Sequence, residues 1–332
     1  MPSFRTGTVT AVTAERAGLQ KVAVDGEPAY VLTQLIGPVV VGDRVVVNTT
    51  AVELGLGTGG WHFVHWNLSR DSWSEAGPGH VMKLRYTSLQ VDTGTAEDGE
   101  AELPADLGGM PVVACALHSQ VACVAAGFAH ARPGGRLVYV MTDSAALPAA
   151  LSDVAAGLRQ TGLLAATVSC GQAFGGDYEA VTVASALQVA VGPAGAAAVV
   201  VGPGPGVVGT GSRFGFGGLE VATVVDLATR LGGRPVVAVR FSDADPRARH
   251  QGVSHHTSTA LDMACHRPMV AVPIGETVPE GIEGVVQVAV PADIVYPDGL
   301  TTMGRGPADD PRFFAYAAAA GVLAAQLLEM SP

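Results

Sequence analysis

From Met110 onward the chain is punctuated by runs in which β-branched and small apolar residues follow one another almost unbroken: "PVVACALHS", "RLVYVMTD", "LAATVSC", "AAAVVVG", "RPVVAVRFS" and "MVAVP". A strand with one wet face alternates apolar and polar residues, so such runs need cover on both sides. Between them lie segments with helical spacing, ending near Arg132, running from about Ala149 to Gln160, beginning near Tyr178, ending at Leu231 and beginning near His255. Strand and helix in strict alternation predict a doubly wound, mostly parallel α/β sheet of Rossmann-like kind over residues 110–332. A strand near "GVVQVAV" and a helix from Pro311, with Asp310 placed to cap it, complete that domain.

The preceding residues read differently. From Phe4 to about Leu68, short runs such as "RTGTVTAV", "LQKVAVD" and "DRVVVNTTAVE" are separated by Gly, Pro or Asp, which predicts a small antiparallel β-barrel over 1–68. Residues 69–109 turn polar and acidic and read as a linker region with one strand-like piece around "HVMKLRYTSLQV".

Composition narrows the partners. The 332 residues are 48% hydrophobic, enough for a large core, and carry a net charge of −11, which leaves no basic face for nucleic acid or an anionic membrane. A small molecule is the expected partner, with a homo-oligomer allowed. Cys115, Cys123, Cys170 and Cys265 form no CxxC pair and the N-terminus has no apolar signal core, so a cytoplasmic location is expected. The longest uncharged run, Ala180 to Ser212, is broken by Gly192-Pro193 and by a glycine turn, and no membrane span is predicted. Lys21 and Lys83 are the chain's two lysines and neither stands in a motif, which argues against a Walker-type phosphate loop and against Schiff-base chemistry.

Ligands of open parallel sheets bind beyond the carboxyl ends of the strands. The residues that follow the predicted strands are His118-Ser119, Thr142-Asp143, Cys170 to Asp177, Gly202 to Gly218 and Ser242 to His256. Gly204, Gly206 and Gly209 satisfy G-x-G-x-x-G, but further glycines keep the chain irregular where the dinucleotide fold opens a helix, so NAD(P) is the weaker reading. The stronger is an anion loop of Gly204, Gly206, Gly209, Thr210 and Gly211 with Arg213 as counter-charge, and Arg305 in "TTMGRGPADDP" as a second candidate cation.

Ser254 is placed to cap a helix whose first turn holds His255 and His256, where unpaired N–H groups disfavour imidazolium. Neutral rings can ligate a divalent metal, for which Asp243, Asp245, His250 and His255 form the candidate set, or they can serve in metal-free acid–base or anion-binding work, or in structure alone. The catalytic candidates are His255, His256, His118, Asp177 and Glu179; the plain alternative for Asp177 is a helix cap with Glu179 in the first turn. Cys170 reads as a buried thiol rather than a nucleophile.

The segments "CGQAFGGDYEAVTVASAL", "VGPGPGVVGTGSRFGFGGLE", "FSDADPRARHQGVSHHTSTAL" and "TTMGRGPADDPRFFAYAAAAG" resemble an uncharacterised bacterial family, domain of unknown function 3866, over nearly the whole chain. The resemblance implies no activity, cofactor or catalytic residue. The residues themselves lead to a cytosolic enzyme acting on a small anionic or nucleotide-like substrate by hydrolysis or group transfer, with metal assistance as an open point. An NAD(P)-dependent oxidoreductase and a non-catalytic ligand-binding sensor or assembly subunit are the alternatives.

Overall fold

The computed structural model describes residues 2–56, 59–99, 102–276 and 282–330. Two compact units share the chain, Met1–Gly94 and Thr95–Pro332.

In the first unit, β1 (Phe4–Arg16), β2 (Leu19–Val24), β3 (Glu27–Leu32), β4 (Arg44–Asn48) and β5 (His62–Asn67) close a barrel in the order β1-β2-β3-β5-β4. Alternation turns Val9, Val22, Val24, Val31, Val45 and Val47 into its interior. Asp25 and Gly26, both at positive φ, make the two-residue turn between β2 and β3 and pair Val24 with Glu27. Pairing is antiparallel except at the closure, where β3 meets β5 in parallel through Ala29 with His62 and Tyr30 with Phe63. Within the polar stretch that follows, Met82–Lys83 and Val91–Asp92 form a small antiparallel pair.

The second unit is built on β6 (Pro111–Ala114), β7 (Leu137–Thr142), β8 (Ala166–Ser169), β9 (Tyr178–Glu179), β10 (Ala198–Pro203), β11 (Arg234–Ala238), β12 (Met269–Pro273) and β13 (Val285–Val288). They form one sheet in the order β9-β8-β7-β10-β6-β11-β12-β13, and every neighbouring pair is parallel. The helices α1 (His118–Ala131), α2 (Asp153–Gln160) and α6 (Pro311–Glu329) pack on one face. On the other face lie α3 (Val183–Val191), α4 (Val221–Arg230) and α5 (His255–Met263). This double cover is why the strands read as continuous apolar runs. Neighbouring β10 and β6 feed helices on opposite faces, α4 and α1, which makes the crevice at their carboxyl ends a topological switch point.

The helices α1 and α6 touch at backbone level, because a Cβ on Gly127 would collide with the Ala318 carbonyl and one on Gly321 with that of Val124. Among the described residues, α6 is the one helix long and apolar enough to cross a membrane, and most of it is buried inside the molecule.

Two local expectations are corrected. The helix expected from about Tyr178 starts at Val183, capped by Thr182, whose side chain accepts from Ser185 N–H. Tyr178 and Glu179 instead form an edge strand beside Val168 and Ser169, because Asp177 is tied to Thr167 N–H and Oγ and draws the chain alongside β8. Asp310 stands at the N-cap position of α6 but makes no cap bond, since its carboxylate accepts from Ser242 Oγ and Arg305 Nε.

Candidate functional site

Beyond β11 the chain passes Arg240, and Phe241–Ser242 pairs with Gly252–Val253, so that Ser254 N–H returns to the Arg240 carbonyl at 2.8 Å. The Ser254 hydroxyl then caps α5 by accepting from His256 N–H. This short excursion collects three imidazoles. Ring centroids lie 5.1 Å apart for His250 and His255, 4.8 Å for His250 and His256, and 4.4 Å for His255 and His256. His250 Nδ1 meets Ser254 Oγ at 2.7 Å, while His255 Nε2 is buried with no hydrogen-bond partner among the described residues. Arg240 Nη1 donates to His256 Nδ1 at 3.0 Å.

All three rings are held neutral. Burial, then Arg240 and Arg247, push His250 down to about 4. Burial, then Arg240, push His256 down to about 3, and burial followed by Arg249 and Arg240 lowers His255. Desolvation penalises the charged ring, and the guanidinium charges add to that penalty.

The carboxylates expected beside these rings face elsewhere. Asp245 is 1% exposed and accepts from Arg247 Nε at 2.9 Å, Arg247 Nη2 at 2.8 Å and Arg240 Nη2 at 3.3 Å, with Arg305 Nη2 at 3.6 Å. Burial alone would raise its pKa, but the arginines hold it well below the usual carboxylate range. Both Asp243 oxygens accept from Arg312. Of the four expected metal ligands, therefore, His250 and His255 stand together, whereas Asp243 and Asp245 are turned toward guanidinium groups; for Asp245 the cause is that an unpaired Arg240 would be costly where water is excluded. Arg305, expected as a loop cation, joins Asp245 to Asp310 instead.

The glycine loop lies over this cluster. Ala146 N–H donates to Pro205 O, Thr210 N–H to Gly215 O and Gly217 N–H to Val208 O, so the turn is internally tied. Phe216 stacks on His256 with centroids 3.8 Å apart and planes 2° from parallel. A Cβ on Gly209 would stand 3.2 Å from Phe216 Cβ and 3.7 and 3.8 Å from His256 Cε1 and Nε2. Gly206 sits at φ +84°, and beside Gly211 there is open space. Thr210 Oγ1 contacts Ser212 Oγ at 2.8 Å, while Gly204 lies against the Ala146 carbonyl. Helical structure starts only at Gly217, and Arg213 pairs with Asp262 in an exposed contact. The loop and the histidines, which the sequence presents as separate motifs, thus meet at Gly209, Phe216 and His256.

His118, Asp177 and Glu179 are placed apart from that contact. His118 Nδ1–H donates to Pro203 O at 3.0 Å, and its Nε2 accepts from Ser152 Oγ at 2.8 Å. Both ring nitrogens are therefore engaged in joining β10 to α2, and burial pushes the ring down to about 4. Asp177 binds Arg159, which also donates to the Leu164 and Ala165 carbonyls ahead of β8. That puts its carboxylate toward the amino end of the strand, away from the rim where it was expected. Glu179 accepts from Ser169 Oγ and Gly175 N–H and closes the turn after β8. Cys170 is buried, in line with its reading as a core thiol.

Sequence reasoning missed Arg240 and Glu220 as members of this rim, and gave Phe216, within Gly202 to Gly218, no role of its own. Glu220 accepts from Thr142 Oγ1 at 2.6 Å and is raised by burial, then by Asp143. Arg240 did leave a signal, a single charge at the end of "RPVVAV", where an isolated cation must find partners.

Residues 28–321 match the family described as "Protein of unknown function (DUF3866)". No curated protein and no solved structure matches the chain.

Proposed function

We propose, starting from the chain's membership of that family of unknown function, that it is a cytosolic enzyme acting on a small anionic substrate, nucleotide-like ones included, by hydrolysis or group transfer. One observation carries this reading: three imidazoles kept neutral beside Arg240, Arg247 and Arg249, under a glycine loop at the carboxyl rim of a parallel sheet. Guanidinium charge attracts an anion, and a neutral imidazole near pH 7 can take a proton from water or from an attacking hydroxyl. His255 is the base in this reading, because its Nε2 has no hydrogen-bond partner among the described residues. Its replacement by alanine is expected to lower turnover about 10²–10⁴-fold. The measurement is a screen of phosphate esters, nucleoside polyphosphates and carboxylate esters with wild type and His255→Ala side by side; equal rates in the two would remove the histidine from the chemistry.

A second reading makes the cluster a divalent metal centre, since ligand nitrogens of His250, His255 and His256 lie within 4.8 Å of one another. The arginines that repel a proton from these rings repel a dication more strongly, so the anionic-substrate reading without metal is preferred. Elemental analysis of the purified protein decides between them. A dinucleotide cofactor has less support, because no helix opens until Gly217 and the G-x-G-x-x-G turn lacks the N-terminus that holds a pyrophosphate.

A further inference from the structure

Arginine carries five N–H donors and no acceptor. Arg240 Nη1 stands 3.0 Å from His256 Nδ1, so Nδ1 must accept, and the one proton of the neutral ring resides on Nε2. The guanidinium cannot turn away easily. It is 4% exposed, its other end is bonded to Asp245 at 3.3 Å, and its backbone is pinned by Thr257 Oγ1 and by Ser254 N–H. Phe216 covers one face of the ring, and the Nε2–Cε1 edge is turned toward Gly209, which places no side chain against it.

We propose that His256 binds an oxyanion of phosphate or carboxylate class as a neutral Nε2–H donor, with its tautomer fixed from behind by Arg240. His256 touches the ligand, and Arg240 is a positioning residue that acts through it. A protonated ring would set two donors against each other at the Arg240 contact, and a metal on Nε2 would need the proton that this contact places there to leave. The same three-histidine cluster is thereby divided by role: His256 donates, and His255 keeps the lone pair for base chemistry. The assignment rests on the anionic-substrate reading for its ligand class, but its tautomer stands on the Arg240 geometry alone.

Proton–nitrogen correlation spectra of the full chain carrying nitrogen-15 histidine, recorded near neutral pH with inorganic phosphate or acetate added, read both parts. Expected are a His256 with bare Nδ1 and protonated Nε2, and a saturable shift of Nε2 with at least one of the two anions. Arg240→Met leaves Asp245 with Arg247 and Arg305 as partners; it should give a mixed His256 tautomer and weaken binding of that anion about tenfold. His256→Gln, which keeps an N–H donor, should bind better than His256→Ala, for which about tenfold weakening is again expected. This pair serves the test even if Arg240→Met does not fold. A proton on Nδ1 in the wild type, an Nε2 indifferent to both anions, or a stoichiometric metal on Nε2 would each overturn the assignment. Anion bound through His256 in a protein without turnover would end the enzymatic reading and leave this one standing. Turnover lost in His255→Ala, with His256 protonated on Nδ1, would do the reverse.

Discussion

Asp245 holds two opposed tendencies in balance: burial works against its charge, and the arginines around it require that charge. Removing the carboxylate while leaving Arg240 buried should cost about 3–5 kcal/mol, so Asp245→Ala should shift the urea midpoint strongly. Asp243→Ala, which breaks the more exposed pair with Arg312, should cost less than about 1 kcal/mol. In the loop, Gly206 and Gly209 are glycine for different reasons. Gly206→Ala meets open space and only the strain of a positive φ, about 1 kcal/mol, and should leave anion binding intact. Gly209→Val presses on Phe216 and His256 and should abolish binding in the same titration. Loss of binding in both variants would mean that the whole turn, rather than the Gly209 contact, shapes the site. His255 and His256 could be placed from sequence because Ser254 marks a helix start. Their relation to Arg240 could not, because it depends on the return of Ser254 N–H to the Arg240 carbonyl, a contact between residues that no periodicity connects.

At the level of elements, the α1–α6 contact and the solvent face of α2 respond oppositely to the same substitution. Gly321→Ala drives a methyl group into the Val124 carbonyl and should destabilise by about 1–3 kcal/mol, whereas Gly157→Ala in α2 meets nothing and should stabilise by about 0.4–1 kcal/mol. Melting temperatures of the two variants check this, and a shift of the same sign in both would contradict the packing argument. The alternation of strand and helix was legible because burial on both faces writes itself into composition. The start of α3 was not, since Asp177 and Thr182 are both acceptable caps and only the tie from Asp177 to Thr167 settles which one serves. The parallel closure of the barrel was equally hidden, because β3 and β5 are joined through β4 and their register has no local mark.

For the whole molecule, the buried histidines set the response to acid. His118 and His250 near 4 and His256 near 3 stay neutral in the fold, against an ordinary value of 6.5 in the unfolded chain. Above 6.5 neither state takes a proton and the rings contribute nothing to pH dependence. As pH falls from 6.5 toward 4 the unfolded chain gains protons that the fold refuses, and stability drops by up to about 1.4 kcal/mol per pH unit for each ring. Unfolding midpoints at pH 8, 6.5 and 5 check the sign; a flat profile between the last two would show that the rings charge without unfolding. Beyond equilibrium, the order in which a ribosome delivers the chain matters. Ser242 waits for Asp310, 68 residues later, and Asp245 for Arg305, while the sheet face that α6 covers stays bare until that helix has been made. The barrel needs nothing beyond residue 94 to close its own core. Translation therefore delivers the barrel early and the arginine–carboxylate network beneath the histidines last, so an interrupted chain can hold a finished first unit and still have no site.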